Sequence, residues 1–178
     1  MQKETSDRQS DQRKELRNTV EKIVVNAGVG RLSAQPNFEE KGLPQVVRDI
    51  ALLAGQRPQV RRAKKSIAGF KIREGQVVGL SVILRRDRMV DFFARLIKIV
   101  LPRVRDFAGI DSHSVDKSGV LNIGLREQFV FPEVAPEESP ISFSLGINVV
   151  PKLRSREAAI EAYARLGVPL KRSKERSS

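Results

Sequence analysis

The sequence predicts an α+β fold: a largely antiparallel β-sheet with helices packed on one face and a long basic loop between two strands. Three observations carry that prediction. Short β-branched runs and longer segments of helical spacing follow one another as strand, helix, strand, strand, helix, strand, strand, helix. Hydrophobic residues make up 40% of the 178, enough to build a packed core. Gly55, Pro102 and Gly167 each stand where a helical pattern stops.

Residues 1–19 form a polar N-terminal arm, with Leu16 as its one apolar residue after Met1, and read as disordered or as a helix that forms only on a partner. Residues 20–168 read as a single domain and 169–178 as a polar C-terminal tail. Within the domain, Glu21 to Ala27 is the first strand. Gly28-Val29-Gly30 follows it without the lysine or third glycine of a nucleotide loop, so it reads as a tight strand exit. Leu43, Val46, Val47, Ile50 and Leu53 share one helical face, and Pro44 suits a first turn, giving a helix over 44–54. A second strand follows at Gln59 to Lys64, then a long, mobile loop from Lys65 to Gln76, then a strand from Val77 to Arg86. Asp87 is placed to cap a helix from Arg88 to Leu101, which Pro102 ends by disfavouring helical geometry at Leu101. Two strands, 120–126 and 141–150, flank an acidic loop punctuated by Pro132, Pro136 and Pro140. Ser155 caps the last helix, 156–166.

The charge is concentrated. Residues 57–105 hold 14 Lys or Arg against 3 acids, and no acid occurs from Ile50 to Arg73, while the whole chain carries a net charge of +12. A single-sign block repels itself unless a polyanion lies across it, and a phosphate backbone suits it. The plainer reading is a solvated face, but such faces usually mix both signs. Phe70 stands at the tip of the basic loop, where it either packs on a base or ribose or folds back into the core.

Catalysis and metal binding find little support. The chain has no cysteine and one histidine, His113, in a polar turn with no nucleophile elbow near it. No catalytic residue, metal site or cofactor is assigned. The absence of cysteine makes the cytoplasm the natural compartment, and no apolar run approaches the ~20 residues that cross a bilayer, so no membrane partner is expected. An enzyme acting on RNA is disfavoured on these grounds.

Several runs resemble the large ribosomal subunit protein five family. They are Lys22-Ile-Val-Val-Asn26 with Gly28-Val-Gly30, Ala54-Gly-Gln-Arg-Pro58, the stretch from Arg62 to Gly75, Leu101-Pro-Arg-Val-Arg-Asp-Phe107, and Arg126-Glu-Gln-Phe-Val-Phe-Pro-Glu133. The resemblance implies a structural protein of the large ribosomal subunit, not an enzyme, held in the central protuberance by 5S rRNA and neighbouring large-subunit rRNA. It implies further contacts with P-site transfer RNA through the 65–76 loop and with a small-subunit head protein across the subunit interface. Carried over by position, Asn26 and Gln56 match polar residues used around 5S rRNA. Arg85 matches a basic residue at the strand end, and Arg86 is assigned with it. The transfer-RNA surface is assigned to Lys64, Lys65, Ser66, Phe70, Lys71 and Arg73. Residues 1–19 depart from the family pattern, and Ile83 stands where members often carry threonine. The competing reading is a non-ribosomal RNA-binding or nucleic-acid-compacting protein.

Overall fold

A computed structural model describes residues 2–171, with the side chains of residues 2–10 and of Phe70 outside the description. In chain order the main elements are α1 (Gln2–Thr19), β1 (Val20–Gly28), α2 (Leu43–Ala54), β2 (Gln59–Arg62), β3 (Val77–Leu84) and α3 (Arg86–Arg95). There follow the short α4 (Leu101–Arg103), β4 (Ile110–Asp111), β5 (Leu121–Leu125), β6 (Leu145–Pro151), α5 (Arg156–Arg165) and β7 (Leu170–Lys171). Five strands make an antiparallel sheet in the order β2-β3-β1-β6-β5. In the β2–β3 pair Gln59 faces Ser81 and Arg61 faces Gly79, and the register then shifts so that Arg62 faces Val77. Side chains alternate along the second half of β1: Ile23, Val25 and Ala27 are buried while Asn26 and Gly28 are exposed.

The chain divides into two compact units where the sequence predicts one domain. The boundaries fall inside or beside strands, so hydrophobic periodicity does not reveal them. The first unit holds the residues up to Ile23, Arg85–Ile123 and those from Asn148 onward; the second holds Val24–Leu84 and Gly124–Ile147.

In the second unit α2 packs its predicted face, with Val46, Ile50 and Leu53 each 1% exposed or less. Pro44 lies in its first turn and Gly55, at φ +65°, ends it in the left-handed region. Asp49 is also buried in that face. Its carboxylate accepts from the Ser139 hydroxyl at 2.5 Å, while the Gln45 amide donates to Ser139 Oγ at 2.7 Å. Buried Gln128 donates to the Ile141 carbonyl at 2.7 Å and accepts from the Phe143 N–H at 3.0 Å. The acidic, proline-punctuated segment is therefore tied to α2 and to the residues ahead of β6 by satisfied buried polar groups.

In the first unit α3 buries Met89, Val90, Phe92 and Phe93. Two expectations about this helix are corrected. Its N-cap is Arg85, in extended geometry, and Asp87 lies in the first turn, paired with Arg17. Pro102 does not force Leu101 out of helical geometry, because Leu96–Val100 widens into a π-type turn. The Leu101 N–H bonds Leu96 there, and α4 carries the helical path on to Arg103. On α5, Ser155 holds the N-cap position, but its hydroxyl donates to Glu157 and accepts no backbone N–H. Tyr163 is fully buried with its hydroxyl 2.9 Å from the carbonyl oxygens of Gly119 and Val149, and burial pushes its pKa up. Gly119 is required: its φ is +83°, and a Cβ there would lie 2.8 Å from the Ala159 Cβ.

The N-terminal arm differs most from expectation. Gln2–Thr19 is helical, and it docks within its own unit rather than waiting for a partner. Leu16 is 3% exposed, Arg13 pairs with Asp91 at 2.9 Å, Arg17 pairs with Asp87, and Glu15 pairs with Arg165 at 3.5 Å. One apolar anchor and a ladder of ion pairs at helical spacing suffice for docking. At the other end β7 pairs in parallel with β4, so the predicted tail begins as a strand; residues 172–178 lie outside the described residues.

Candidate nucleic-acid interface

The second unit presents an open sheet face. Because side chains alternate along a strand, burying Val25, Ala27, Leu80 and Val82 on one side turns Asn26, Gly28, Gly79 and Ile83 to the other. Asn26, Gly28, Arg61, Gly79, Ser81 and Ile83 line a shallow cleft there, in which Arg61 Nε donates to Ser81 Oγ at 3.0 Å. Gln56 follows the glycine that ends α2 and approaches the same strand, its amide 3.5 Å from the Ile83 carbonyl. Asn26 and Gln56, assigned together from the sequence, thus flank the same part of β3. Ile83 is 42% exposed, so an apolar surface occupies the threonine position.

A second shallow depression continues from Asn26 and Gly28 to Gly124, Arg126, Ser144 and Gly146. The glycines here are of two kinds. At Gly79 a Cβ would lie 2.9 Å from the Ala27 carbonyl oxygen, so packing within the sheet excludes a side chain. At Gly28 and Gly124 a Cβ would meet nothing within 4 Å, and at Gly146 only the Asn26 carbonyl oxygen at 3.9 Å. None of these three has a positive φ. Neither packing nor backbone geometry requires glycine at the three positions. What they supply is a flat surface flanked by Asn26 and Arg126, which a bulky backbone can approach closely. In the sequence Gly28 reads as a strand exit only, and Arg61, Arg126, Gly124 and Gly146 are assigned to no site. The strand alternation around buried Ile123 and Leu125 was the signal that would have found Gly124 and Arg126.

The basic segment between β2 and β3, read from the sequence as a long, mobile loop, carries hydrogen bonds of its own. Ile67 and Ile72 exchange backbone hydrogen bonds at 2.9 and 3.2 Å across a turn at Ala68–Phe70. Ser66 Oγ accepts from the Glu74 N–H at 2.9 Å, and Gln76 Oε1 accepts from the Arg73 N–H at 2.9 Å. The segment extends the β2–β3 hairpin as an arm. At its root Arg62 grips both oxygens of Glu39, at 3.0 and 3.2 Å, and donates to the Gly75 carbonyl at 2.8 Å. The Arg62 guanidinium holds the Glu39 carboxyl below its ordinary value. Arg62 is therefore engaged inside the chain. Lys64, Lys65, Ser66, Lys71 and Arg73 are exposed along the arm, and among the described residues the four cations have no ion pair. Lys71 adopts φ +53° at the turn. The Phe70 side chain, with its two alternatives, lies outside the described residues.

Arg85 and Arg86 belong to the first unit, so the four residues assigned to 5S rRNA divide between the units. Arg85 pairs with Glu21 at 3.3 Å. Lys22 and then Arg85 hold the Glu21 carboxyl below its ordinary value. Arg86 adopts φ +54°, an uncommon geometry for a residue with a side chain.

His113 sits in a short turn where its own N–H bonds Asp111 at 2.9 Å. Among the described residues no three His, Cys, Asp or Glu side chains gather as metal ligands, and no helix is long and apolar enough to cross a membrane.

Residues 18–73 match the family described as Ribosomal protein L5, and residues 77–170 match the C-terminal part of the same ribosomal family. Similar proteins include the large ribosomal subunit protein uL5 of Rubrobacter xylanophilus, 47% identical over 86% of this chain and 83% of that protein. The uL5 proteins of Halothermothrix orenii and Chlorobaculum tepidum are 43% and 40% identical, over 84% and 88% of this chain and 82% and 83% of their own lengths.

Proposed function

The chain belongs to the ribosomal protein L5 family, and from that membership we propose that it binds 5S rRNA on the open face of its sheet and approaches P-site transfer RNA with its basic arm. It is a structural protein of the large ribosomal subunit, and so of the cytoplasm, with no catalytic role. The rest of the reading goes further: anchorage in the central protuberance with neighbouring rRNA, and a contact with a small-subunit head protein.

The observation that carries the 5S reading is the flat glycine surface beside Asn26 and Arg126. Amides that donate and accept suit ribose hydroxyls, guanidinium groups suit phosphates, and glycines let the sugar–phosphate chain come close. The arm supports the second part. Its four cations are exposed without local acid partners, while its backbone is braced by its own hydrogen bonds, so the charge is presented on a defined shape.

Asn26→Ala combined with Gln56→Ala tests the 5S reading. The double variant should bind 5S rRNA at least about tenfold more weakly, the loss of about 1.4 kcal/mol, while its far-UV CD spectrum stays that of the parent. Equal affinity in the folded variant would remove these amides from the interface and leave Asn26 and Gln56 as strand and helix ends only.

A further inference from the structure

A notch in the first unit collects positive charge from three separate places in the chain. Arg17 comes from the end of α1, Arg85 and Arg86 from the junction of β3 and α3, and Lys152 from just beyond β6, with Glu21 and Asp87 between them and Val20 and Met89 beneath. Four cations share two carboxylates. Glu21 pairs with Arg85 at 3.3 Å and Asp87 pairs with Arg17, which leaves Arg86 and Lys152 without an acidic partner among the described residues. Lys152 is fixed in place through its backbone, its N–H bonding the Thr19 carbonyl at 2.8 Å. Arg86 is held at φ +54°, a geometry uncommon for a residue with a side chain. Like charges brought together in this way repel one another unless an anion sits among them.

We propose that this notch is a seat for an RNA phosphate, with Lys152 and Arg86 as its standing contacts and Arg17 recruited from Asp87 when the phosphate arrives. None of its lining residues is shared with the open sheet face, and it adds Lys152 and Arg17 to the residues that meet RNA. Binding there trades one ion pair for another, since the Arg17 guanidinium turns from the carboxylate of Asp87 to the phosphate. Asp87 is thus a competitor for Arg17, and removing its charge strengthens the seat. The proposal takes 5S rRNA as the partner from the reading above, but its chemistry requires only a phosphodiester.

The test measures affinity of the full chain for in vitro transcribed 5S rRNA across a salt series, with paired variants of equal charge change. Lys152→Gln should weaken binding about 3–10-fold and lower the slope of log affinity against log salt by about 0.7–0.9, the loss of one phosphate contact. Arg154→Gln, an exposed charge two residues away and outside the notch, should do neither. Asp87→Asn should tighten binding several-fold, whereas Glu137→Gln, in the other unit, should not. Lys152→Gln matching Arg154→Gln, or Asp87→Asn matching Glu137→Gln, would reduce the notch to bulk charge and overturn the proposal. Parent protein that fails to bind 5S rRNA would sink the 5S reading instead. The same four variants on poly(U) then decide the notch by the same ranking, and its absence there overturns the proposal too.

Discussion

Replacing Gly124 with leucine should separate the interface from the fold. A Cβ at this position meets nothing within 4 Å, the residue is exposed, and its φ is not positive. The fold therefore loses nothing, and leucine in place of glycine within a strand is expected to be neutral or to stabilise by up to about 1 kcal/mol. The side chain stands roughly perpendicular to the sheet, over the depression that Gly124 shares with Asn26, Gly28 and Arg126. RNA lifted by that height loses direct contact with the Asn26 amide and the Arg126 guanidinium. A neutral hydrogen bond contributes about 0.5–1.5 kcal/mol net and a charged one about 1.5–3, so their joint loss is at least about 2 kcal/mol. At about 1.4 kcal/mol per tenfold, the dissociation constant for 5S rRNA rises about 30-fold. Titration calorimetry at fixed salt reads the affinity, and CD melting reads the fold. Gly79→Ala supplies the contrast, because its Cβ would press on the Ala27 carbonyl at 2.9 Å and lower the melting temperature. A folded Gly124→Leu protein that binds 5S rRNA as tightly as the parent would refute the assignment of the open face.

Three further outcomes are expected. Replacing Ser66 to Arg73 by a Gly/Ser linker should spare 5S rRNA binding and weaken chemical protection of P-site transfer RNA on ribosomes; unchanged protection, or lost 5S binding, would contradict the division between arm and sheet. Asp49→Ala should cost about 2 kcal/mol by leaving the buried Ser139 hydroxyl without its carboxylate, a fall of about 4–8 °C in melting temperature, with Asp49→Asn milder. The Glu39 carboxyl should titrate below 4.5, and its pairing with Arg62 contributes stability that is present above the unfolded value and lost as pH falls through the lowered one. An NMR titration of Arg62→Gln that left the Glu39 midpoint unmoved would show that the pair does not form in solution.

Much of the fold was legible because it obeys local periods. The first strand, α2 and the strand into Leu84 declare themselves through β-branched runs or helical spacing and end at Gly28, Gly55 and Arg85. The features that escaped are those set by partners distant in sequence. Nothing within α1 announces that Arg13 and Arg17 will meet Asp91 and Asp87, so a chain segment with one buried apolar residue looks like a free arm. The basic arm looks mobile because Lys65 to Gln76 lacks an apolar period, whereas its order comes from backbone bonds between Ile67 and Ile72 and from the Ser66 and Gln76 side chains. Counting cations alone also overstates the charge on offer, since Arg62 is committed to Glu39. For the site, the motif resemblance supplied Asn26 and Gln56, but only geometry distinguishes Gly79, which packing demands, from Gly28 and Gly124, which packing does not.

The setting of Tyr163 decides what light can report about this protein. The chain has one tyrosine and no tryptophan, so its intrinsic emission comes almost entirely from a single fluorophore buried in the first unit against the Gly119 and Val149 carbonyls. The second unit, which carries the flat face and the arm, holds no tyrosine. An unfolding curve followed by tyrosine emission therefore tracks one unit, while CD tracks both. Midpoints that disagree between the two would reveal units that melt in separate steps, and coincident midpoints a single cooperative transition.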